Sequence, residues 1–573
     1  MNRFFFLRSF FLFWFILVCG RLFYWQGIRA SELQLAARKQ YERPSTQVSM
    51  RGVIKTADGY PLVLNTQVYS LVGRPNLMKN SAEVSSAAIL SALRSVPASK
   101  SGALFDPHLD KTFIQKLSDP RKKWVPLFSN ISDDQKKAVS ALKLPEVEFE
   151  PGWKRLYPES SLSAQLLGFV GKDTDGNPKG YFGIEGEYDL ELTGRDSKSV
   201  KETDAVGHPI GLSATVDEES NDGRNLTLTL RRDLQFLIQR HLEEGIVKYG
   251  AKSGDVLLME PKTGKIIAMA SYPTYDPGEY AKADPTVFKN PVVADAYEPG
   301  STLKVMTVAM GVDTGAIAPD TICDKCSGPV TIGKYTIKTW DNKYHANTTI
   351  QEGLTHSDNT AMVYIGNKVG KEKLLQYIER FGLGSKTGVD LQDESTPKLR
   401  AEKDWGEIDT ATATFGQGIA LTPIQMLNIV NTIANGGRLM RPYVVDKVDG
   451  NGQEFVTKPQ EIRQVIKPET ARIVAQMMQT SASQGDAKWT LPRQYSIAGK
   501  TGTAQIPVAG HYDEARTIAS FVGFSPVENP QFSMLVRLVE PSSSQWGSET
   551  AAPLWFTIAK DLFVQYGIAP NVQ

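Results

Sequence analysis

The segment Tyr297-Glu-Pro-Gly-Ser-Thr-Leu-Lys304 combines a helix start signal with a serine and a lysine three positions apart. A Pro-Gly pair precedes Ser301 and an apolar run reaches to Met310, a pattern that predicts a helix opening at Ser301. Residues i and i+3 share one face of a helix, so we expect the Lys304 amine to lie within reach of the Ser301 hydroxyl. A serine hydroxyl becomes a good nucleophile only when a base takes its proton. Lysine can be that base if burial or a second ammonium lowers its pKa by several units.

Two further short motifs lie downstream, Ser357-Asp-Asn359 and Lys500-Thr-Gly-Thr503. Lys500 follows 495–499, which is expected to be a short strand with small residues, and it can supply the second ammonium. Each motif alone is weak evidence, because the chain repeats the first and third patterns elsewhere. The repeats are Ser395-Thr-Pro-Lys398, Lys262-Thr-Gly264 and Lys386-Thr-Gly388. Their local context places all three in turns or loops, and so separates them from the candidate site.

In this order the three motifs resemble the active-site set of the penicillin-binding protein and serine β-lactamase superfamily. The resemblance covers nearly the whole chain and is closest to the class B penicillin-binding proteins. Between the second and third motifs it rests on Phe415-Gly-Gln-Gly418, Thr422-Pro-Ile-Gln-Met426 and Ile433-Ala-Asn-Gly-Gly437. In the amino-terminal half it rests on Arg21-Leu-Phe-Tyr-Trp-Gln26, Arg51-Gly-Val-Ile54, Asp58-Gly59, Arg155-Leu-Tyr-Pro158, Gly183-Ile-Glu185 and Tyr188-Asp189.

The sequence departs from the family pattern at three positions. Thr56 and Ala57 stand where an acidic and then a basic residue usually follow Arg51–Ile54, so any contact that those charges make in relatives is in doubt. Asp358 occupies a position that is often small, although the outer Ser357 and Asn359 of that motif are intact.

The resemblance implies an α+β chain in three parts. These are a cytoplasmic stub and transmembrane anchor at 1–28, an elongated non-catalytic, dimerisation-like pedestal at 29–225, and a transpeptidase domain at 226–573 built from an antiparallel sheet with helices. The residue patterns of the third part agree. They predict strands at 226–230, 255–259, 265–270, 518–524 and 532–539, and helices at 233–248 and 552–564. Earlier in the chain they predict a helical stretch within 29–50, a strand at 69–72, a helix at 85–93 and a linker at 217–223.

The resemblance also implies the reaction, a peptidoglycan D,D-transpeptidation that needs no metal or organic cofactor. It implies that Ser301 attacks the D-Ala-D-Ala carbonyl of a stem peptide while Lys304 takes the hydroxyl proton. Ser357 would relay a proton to the leaving amine, Asn359 would orient the substrate amide, and Lys500 would tune the local field. The substrate-binding residues would be Asp358, Thr501, Gly502 and Thr503, with the two threonine hydroxyls on the terminal carboxylate and the Ser301 and Thr503 N–H groups as the oxyanion hole.

The implied partners follow from that reaction. They are a donor stem peptide, a second stem peptide that offers an amine, and β-lactam antibiotics that mimic D-Ala-D-Ala. A membrane glycan polymerase of the division or elongation machinery would contact the anchor and pedestal.

Four alternative functions share part of the pattern. An inactive scaffold would be expected to lose some of the hydroxyl, amine and amide groups, and all are retained here. A class A β-lactamase would add a Glu-x-x-x-Asn loop, and a β-lactam sensor would add membrane segments and a protease motif. A bifunctional class A protein would carry a Glu-Asp…His-x-Gly glycosyltransferase signature within 29–225. The sequence contains none of these additions, which favours a monofunctional class B transpeptidase.

The amino-terminal segment is predicted to be an uncleaved membrane anchor. Residues 4–25 are mostly apolar and long enough to cross a bilayer if Arg8 and Arg21 reach the headgroups. The alternatives are a cleaved signal peptide, which lacks a small-x-small site before Arg29, and a lipoprotein, which bulky Val18 before Cys19 disfavours. Basic residues ahead of the run predict a cytoplasmic amino terminus, and hence a catalytic domain on the periplasmic or extracellular side of the inner membrane.

Composition excludes several other classes. The chain has 573 residues, and Lys+Arg 64 against Asp+Glu 63 leaves no basic excess for nucleic acid. A mean hydropathy of −0.26 excludes a polytopic membrane protein. For Cys323 and Cys326 we expect a local disulfide or two inert thiols rather than a redox or zinc site, because a structural zinc needs four ligands. His356, directly before Ser357, is expected to be structural or to lie at the rim of the site.

Overall fold

The structure, a computed structural model, describes residues 3–96, 106, 108–202, 215–216, 222–508 and 511–571. Contacts divide the chain into two compact units. The first comprises Met1–Arg51, Gln67–Lys154 and Thr193–Gly223, and the second Gly52–Thr66, Arg155–Leu192 and Arg224–Gln573. Two segments of the predicted pedestal, 52–66 and 155–192, therefore belong to the unit that contains the three motifs. The predicted domain boundary at 225/226 stays a prediction, and most of the predicted linker, 217–221, lies outside the described residues.

The first unit opens with the predicted anchor. An α-helix, Arg3–Phe23, continues through a π-helical turn, Tyr24–Ile28, and Arg3–Ile28 is long and apolar enough to cross a membrane. The predicted juxtamembrane helix follows as Ala30–Tyr41. One membrane-spanning helix is thus supported by length and composition.

The rest of the first unit contains three helices and several strands, two of which, Pro61–Gly73 and Val147–Leu156, lie partly in the second unit. The helices are Ala82–Ser95, Leu109–Leu117 and Asp133–Ser140. The strands are Glu42–Gln47, Pro61–Gly73, Val125–Ile131, Val147–Leu156, Ser197–Glu202 and Thr215–Val216. Leu71, Ile89 and Phe113 are fully buried in its core. The predicted strand at 69–72 and helix at 85–93 are both confirmed, and both are longer than their apolar patterns.

The second unit is organised around a five-stranded antiparallel sheet, called here the central sheet. Its strands, in spatial order, are Ile266–Tyr272, Ser253–Met259, Phe532–Val539, His511–Ser525 and Ala498–Val508. Successive residues of a strand point to opposite faces. Val256 and Leu258 accordingly pack on one face, and Leu257 and Met259 on the other. This arrangement confirms the antiparallel sheet with helices that was expected for the carboxy-terminal part.

Helices cover both faces of the central sheet. Arg232–Tyr249 and Ala551–Gln565, predicted at 233–248 and 552–564, share one apolar core with the sheet. The other face carries the helix Lys304–Asp313, called here the Ser301 helix, and the buried helix Pro423–Ala434. The remaining helices of this unit are Ala164–Leu167, Gly183–Glu187, Asp189–Leu192, Pro291–Ala294, Ile350–Thr355, Asn359–Val369, Lys371–Arg380, Glu407–Ala413 and Pro468–Gln484.

Further strands of the second unit lie outside the central sheet. Asn225–Leu228, the predicted strand at 226–230, pairs with Ile54–Lys55 on one side and Val445–Gly450 on the other, so it lies outside the central sheet. The other short strands are Phe169–Lys172, Pro178–Tyr181, Val330–Ile332, Tyr335–Ile337, Arg438–Met440, Gln453–Val456 and Glu461–Gln464. Two amino-terminal family motifs meet here, because buried Arg155 Nε donates to buried Glu185 at 2.7 Å.

Candidate active site

Ser301 lies on a tight turn at the start of the Ser301 helix. Gly300–Leu303 is a 3₁₀ turn, and the α-helix continues from Lys304 to Asp313. In a 3₁₀ turn residues i and i+3 are aligned, so Ser301 and Lys304 share a face as predicted. The Ser301 side chain is half-buried and opens onto a cavity.

Lys304 is the most deeply enclosed charged group of the site. Its side chain is fully buried, and its Nζ donates to the Ser357 carbonyl oxygen and, at 3.1 Å, to Ser357 Oγ. Among the described residues no hydrogen bond joins Lys304 to the Ser301 hydroxyl. Burial first, and the Lys500 ammonium second, hold the pKa of Lys304 well below its usual range, while Asp358 and Asp486 oppose that shift. The neutral amine is therefore much more accessible to Lys304 than to an exposed lysine.

Lys500 lies at the edge of the central sheet. The structure corrects one expectation, because the strand is Ala498–Val508 and contains the whole third motif, where a strand ending at Gly499 was predicted. The small side chains before Lys500 do not end the strand, because its backbone continues to pair with a long neighbouring strand, His511–Ser525. Burial lowers the pKa of Lys500 to about 8, with Asp486 opposing, and Nζ donates to the Thr501 carbonyl and hydroxyl oxygens at 3.2 Å each.

The second motif forms a strained corner between two helices. Ser357 is buried and has φ +58, a left-handed conformation that side chains other than glycine rarely adopt. Asp358 caps the helix Asn359–Val369 by accepting hydrogen bonds from the Thr360 and Ala361 N–H groups, so its carboxylate serves the helix. Asn359 Nδ2 donates to the Lys338 carbonyl oxygen at 2.8 Å. The predicted contact of Asp358 with substrate stays a prediction.

Glycines allow the first and third motifs to come together. Gly300 and Gly416 both have positive φ, and a Cβ on Gly416 would lie 2.2 Å from the Gly300 carbonyl oxygen. A Cβ on Gly502 would lie 2.8 Å from the Thr302 side chain. Thr503 Oγ1 accepts a hydrogen bond from the Gly547 N–H at 3.0 Å. The turn that carries Ser301 is therefore in direct contact with the strand that carries Lys500.

A buried ion pair supports the segment before Ser301. Arg537, in the central sheet, donates to Asp255 at 2.7 Å through Nε and contacts Asp295 at 3.3 Å. Its guanidinium lies 5.1 Å from the ring centre of Tyr297. Tyr297 in turn exchanges two backbone hydrogen bonds of 3.0 Å with Leu421. These contacts hold the segment before Ser301 against the central sheet.

The three motifs line one cavity of about 970 Å³. Of the predicted residues, Ser301, Ser357, Asn359, Thr501 and Thr503 line it, whereas Lys304, Lys500, Asp358 and Gly502 lie behind this lining. His356 is exposed and lines the cavity, as expected of a rim residue. Lining residues that the sequence did not reveal include Trp340, Gln484, Asp486, Trp489, Gln545 and Trp546. Gln484 ends the helix Pro468–Gln484, and the others lie on loops without a local motif. The sequence signal that was available is the presence of tryptophans near the motifs.

The repeated motifs lie elsewhere, as predicted. Lys262–Gly264 forms the turn between two strands of the central sheet, and Ser395 lies in a loop, where its N–H donates to the Val293 carbonyl oxygen. Thr387 donates its hydroxyl to Glu394.

Cys323 and Cys326 form a disulfide, one of the two states left open by the sequence. Both are buried in the segment that precedes Lys338 and Trp340. The ends of that segment are joined by backbone hydrogen bonds, from Cys323 N–H to Thr348 and from Ile350 N–H to Thr321. These hydrogen bonds join the two ends of the segment 321–350. Within it, the Lys338 carbonyl oxygen accepts the hydrogen bond from Asn359.

Comparison with known proteins identifies this constellation. A family model described as the penicillin binding protein transpeptidase domain matches residues 254–563, and one described as the penicillin-binding protein dimerisation domain matches 46–228. The chain belongs to the penicillin-binding protein transpeptidase family. Membership confirms the predicted fold class, with a dimerisation module ahead of the transpeptidase domain, and the predicted enzyme class, a serine-type peptidoglycan D,D-transpeptidase of cell wall synthesis that is a target of β-lactams.

Individual relatives resemble this penicillin-binding protein over most of its length. Stage V sporulation protein D of Bacillus subtilis (strain 168) is 31% identical, covering 97% of this chain and 84% of that protein. Peptidoglycan D,D-transpeptidase FtsI of Escherichia coli (strain K12) is 27% identical, covering 96% and 90%. The crystal structure of penicillin binding protein 2X from Streptococcus thermophilus has the same fold, with a TM-score of 0.75 at 21% identity over 92% of this chain and 81% of that chain.

The contact between Gly300 and Gly416 generates a prediction. Gly416→Ala should slow acylation by penicillin about 100-fold, because the new Cβ pushes the Ser301 turn out of place, and a 1 Å displacement can cost that much. The rate of labelling by a fluorescent penicillin measures the effect. Gly436→Ala is the matched control: Gly436 also has positive φ, but a Cβ there meets nothing within 4 Å. Equal rates for the two variants would contradict the proposed role of this contact.

Proposed function

We propose that Ser301 is the nucleophile of this peptidoglycan D,D-transpeptidase and that Lys304 is the base that activates it. The observation that carries the proposal is the full burial of the Lys304 side chain, with the Lys500 ammonium nearby. The Lys304 amine is hydrogen-bonded to Ser357 and lies one helical turn from Ser301. A neutral lysine amine can accept a proton, whereas an ordinary exposed lysine is already protonated at pH 7. The bond between Lys304 and Ser301 is absent in the described state, and catalytic hydrogen bonds often tighten only when substrate binds.

Acylation then follows as a balanced step. Ser301 Oγ attacks the carbonyl carbon between the two terminal D-alanines, and its proton passes to the Lys304 amine. As the C–N bond breaks, the leaving D-Ala nitrogen takes that proton through the Ser357 hydroxyl. Ser357 is supported in this relay by its contact with Lys304 at 3.1 Å and by its position on the cavity wall. The products are an ester on Ser301 and free D-alanine.

The donor peptide is proposed to bind along the strand Ala498–Val508. This strand is at the edge of the central sheet, so its free edge can pair with an extended peptide. Thr501 and Thr503 line the cavity and can bind the terminal carboxylate, which the buried Lys500 attracts. Backbone N–H groups of Ser301 and Thr503 are proposed as the oxyanion hole, since Gly502 keeps the turn and the strand in contact. Asn359 orients the peptide amide from the opposite wall.

Asp358 is proposed to assist from behind the cavity. Its carboxylate caps the helix that begins at Asn359 and so holds Asn359 in place. β-Lactams take the donor's place and leave Ser301 acylated, whereas a stem peptide is passed on to a second stem peptide.

Acylation of Ser301 is tested by labelling with a fluorescent penicillin. Ser301→Ala should abolish the label, while Ser395→Ala, in the loop copy of the same motif, should keep it at the wild-type level. Mass spectrometry should place the label on the peptide that contains Ser301. A label on any other peptide would remove Ser301 from the nucleophile role.

The two lysines predict a bell-shaped pH profile. Acylation should fall at acid pH, because protonated Lys304 cannot take the Ser301 proton, and should fall again above about pH 8, where Lys500 loses the charge that attracts the carboxylate. Stopped-flow acylation by penicillin across pH 5–10 measures both limbs. Lys500→Arg stays charged in this range, so the alkaline limb should disappear even if the maximal rate is lower. An alkaline limb unchanged in Lys500→Arg would assign it to another group.

The catalytic unit is proposed to lie on the periplasmic or extracellular side of the inner membrane. Arg3 and Arg8, before and near the start of the apolar run, support a cytoplasmic amino terminus. The anchor is also proposed to contact a membrane glycan polymerase of the division or elongation machinery. Phe6, Phe10, Phe13 and Leu17 form one stripe on the helix Arg3–Phe23, and all four are more than half exposed.

An anchor exchange tests this proposed contact. Residues 4–25 are replaced by an unrelated membrane helix of equal length with the same flanking charges. Penicillin acylation should persist, because the catalytic motifs lie in the second unit, whereas cross-link formation in cells should drop. Full cross-linking with the foreign anchor would reduce the segment to a tether.

A further inference from the structure

The cavity has a wall that the donor peptide does not explain. It leads from Asp486 past His356 and Trp340 to Trp546, and is called here the tryptophan wall. Gly485, next to Asp486, is packed so closely on Thr355 that a Cβ would lie 2.9 Å from its carbonyl oxygen. Trp340 Nε1 donates to the His356 carbonyl oxygen at 3.2 Å, and the Trp340 and Trp546 rings meet at 5.2 Å. The wall therefore passes directly beside Ser357.

Asp486 is the unengaged carboxylate on this wall. Among the described residues its carboxylate has no hydrogen-bond or ion-pair partner. Glu549 lines the same cavity but accepts a hydrogen bond from Ser544 Oγ at 2.6 Å. Lys488 lies two residues from Asp486, and its ammonium is placed over the Trp489 ring, 5.3 Å from the centre. Asp486 lines the same cavity as Ser301 and Ser357, and it is near enough to Lys304 and Lys500 to raise the pKa of both lysines.

The second half of the reaction requires a cation to enter this cavity. The acceptor is an amine, and an α-amino group has a pKa of about 7.7–8.0 and a lysine-like amine about 10.4, so either is largely an ammonium ion at neutral pH. An ammonium ion is attracted by a carboxylate and by the faces of tryptophan rings. The Lys500 side of the cavity is positive and suits the donor carboxylate, whereas the tryptophan wall offers the opposite charge.

We propose that Asp486 binds the ammonium group of the acceptor stem peptide on the tryptophan wall, beside the acyl-enzyme. This inference rests on the proposed function, since it needs an ester on Ser301. It assigns the substrate class of the wall: a cationic primary amine, bound before it attacks.

The acceptor step balances as follows. The bound ammonium first loses one proton to water. Water can reach it because the Asp486 carboxylate is exposed to solvent. The amine nitrogen then forms a bond to the acyl carbon, and its second proton passes to the Lys304 amine. The ester C–O bond breaks, and Ser301 Oγ takes the proton from Lys304. The result is an amide cross-link and the regenerated serine.

Competition between two acceptors tests the role of Asp486. The full chain in detergent micelles is acylated with an N-acyl-D-alanyl thioester in the presence of both glycinamide and methanol. The amide and the methyl ester are then quantified by mass spectrometry. Both products arise from the same acyl-enzyme, so their ratio does not depend on the acylation rate. Methanol carries no charge and reports on any general damage to the site.

Asp486→Asn should lower the ratio of amide to methyl ester about tenfold, the usual scale for losing one charged hydrogen bond. Asp486→Ser should do the same, and Asp486→Glu should restore most of the ratio. Glu549→Gln, which removes the other carboxylate of the cavity, should leave the ratio unchanged. A wild-type ratio in Asp486→Asn, or an equal drop in Glu549→Gln, would overturn the assignment. Absence of both products with wild-type protein would instead show that the proposed function had failed.

Discussion

Enclosure of the Lys304 side chain is the constraint on which the rest of this site depends. Removing an ammonium ion from water costs several kcal/mol, so burial at this position disfavours the protonated form of Lys304. A helix packed on a sheet encloses the amine, a second cation nearby disfavours its protonation, and hydrogen-bond acceptors within reach satisfy its N–H groups. The Ser301 helix, the strand Ala498–Val508 and the Ser357 corner supply these three conditions. The arrangement of the second unit around Lys304 can therefore be understood as what lowers the pKa of this one amine.

The division of labour around the cavity follows from the same arrangement. Groups that hold charge, Lys304 and Lys500, lie behind the lining, where burial controls their protonation. Groups that are proposed to touch a substrate, such as Ser301 and Thr503, are half-exposed. Because the two sets are separate, the charged groups interact strongly in a buried, low-dielectric environment, while the cavity entrance stays open to solvent and to a long peptide.

The sequence predicted the parts of this molecule that depend on local pattern. Ser301 and Lys304 share a face because a turn of helix places i and i+3 together, and the strands around Leu257 and Val536 show their burial in mostly apolar runs. Strand ends were less certain: the strand with Lys500 continues for eight residues past Lys500, to Val508, because its partner strand is long. The residues around Lys500 do not show how long its partner strand is.

Contacts between distant segments could not be predicted. Nothing near Asn359 in sequence shows that its side chain donates to the Lys338 carbonyl oxygen, and nothing near Asp486 shows that it lines the same cavity as Ser301. The pairing of Ile54–Lys55 with Asn225–Leu228 likewise brings part of the expected pedestal into the second unit. Such contacts depend on how loops return to the sheet, and they involve ordinary residues. Only the family motifs, such as Arg155 and Glu185, carried long-range information.

The backbone of Ser357 sets two selective pressures against each other. A non-glycine residue held at positive φ costs about 1 kcal/mol or more of folding free energy. Glycine would relieve that strain at no steric cost, but it would also remove the hydroxyl that contacts Lys304. A more stable fold and the proposed relay through Ser357 thus favour different residues at this one corner. A serine there leaves a strained connection between two helices, and the packing around it has to offset that strain.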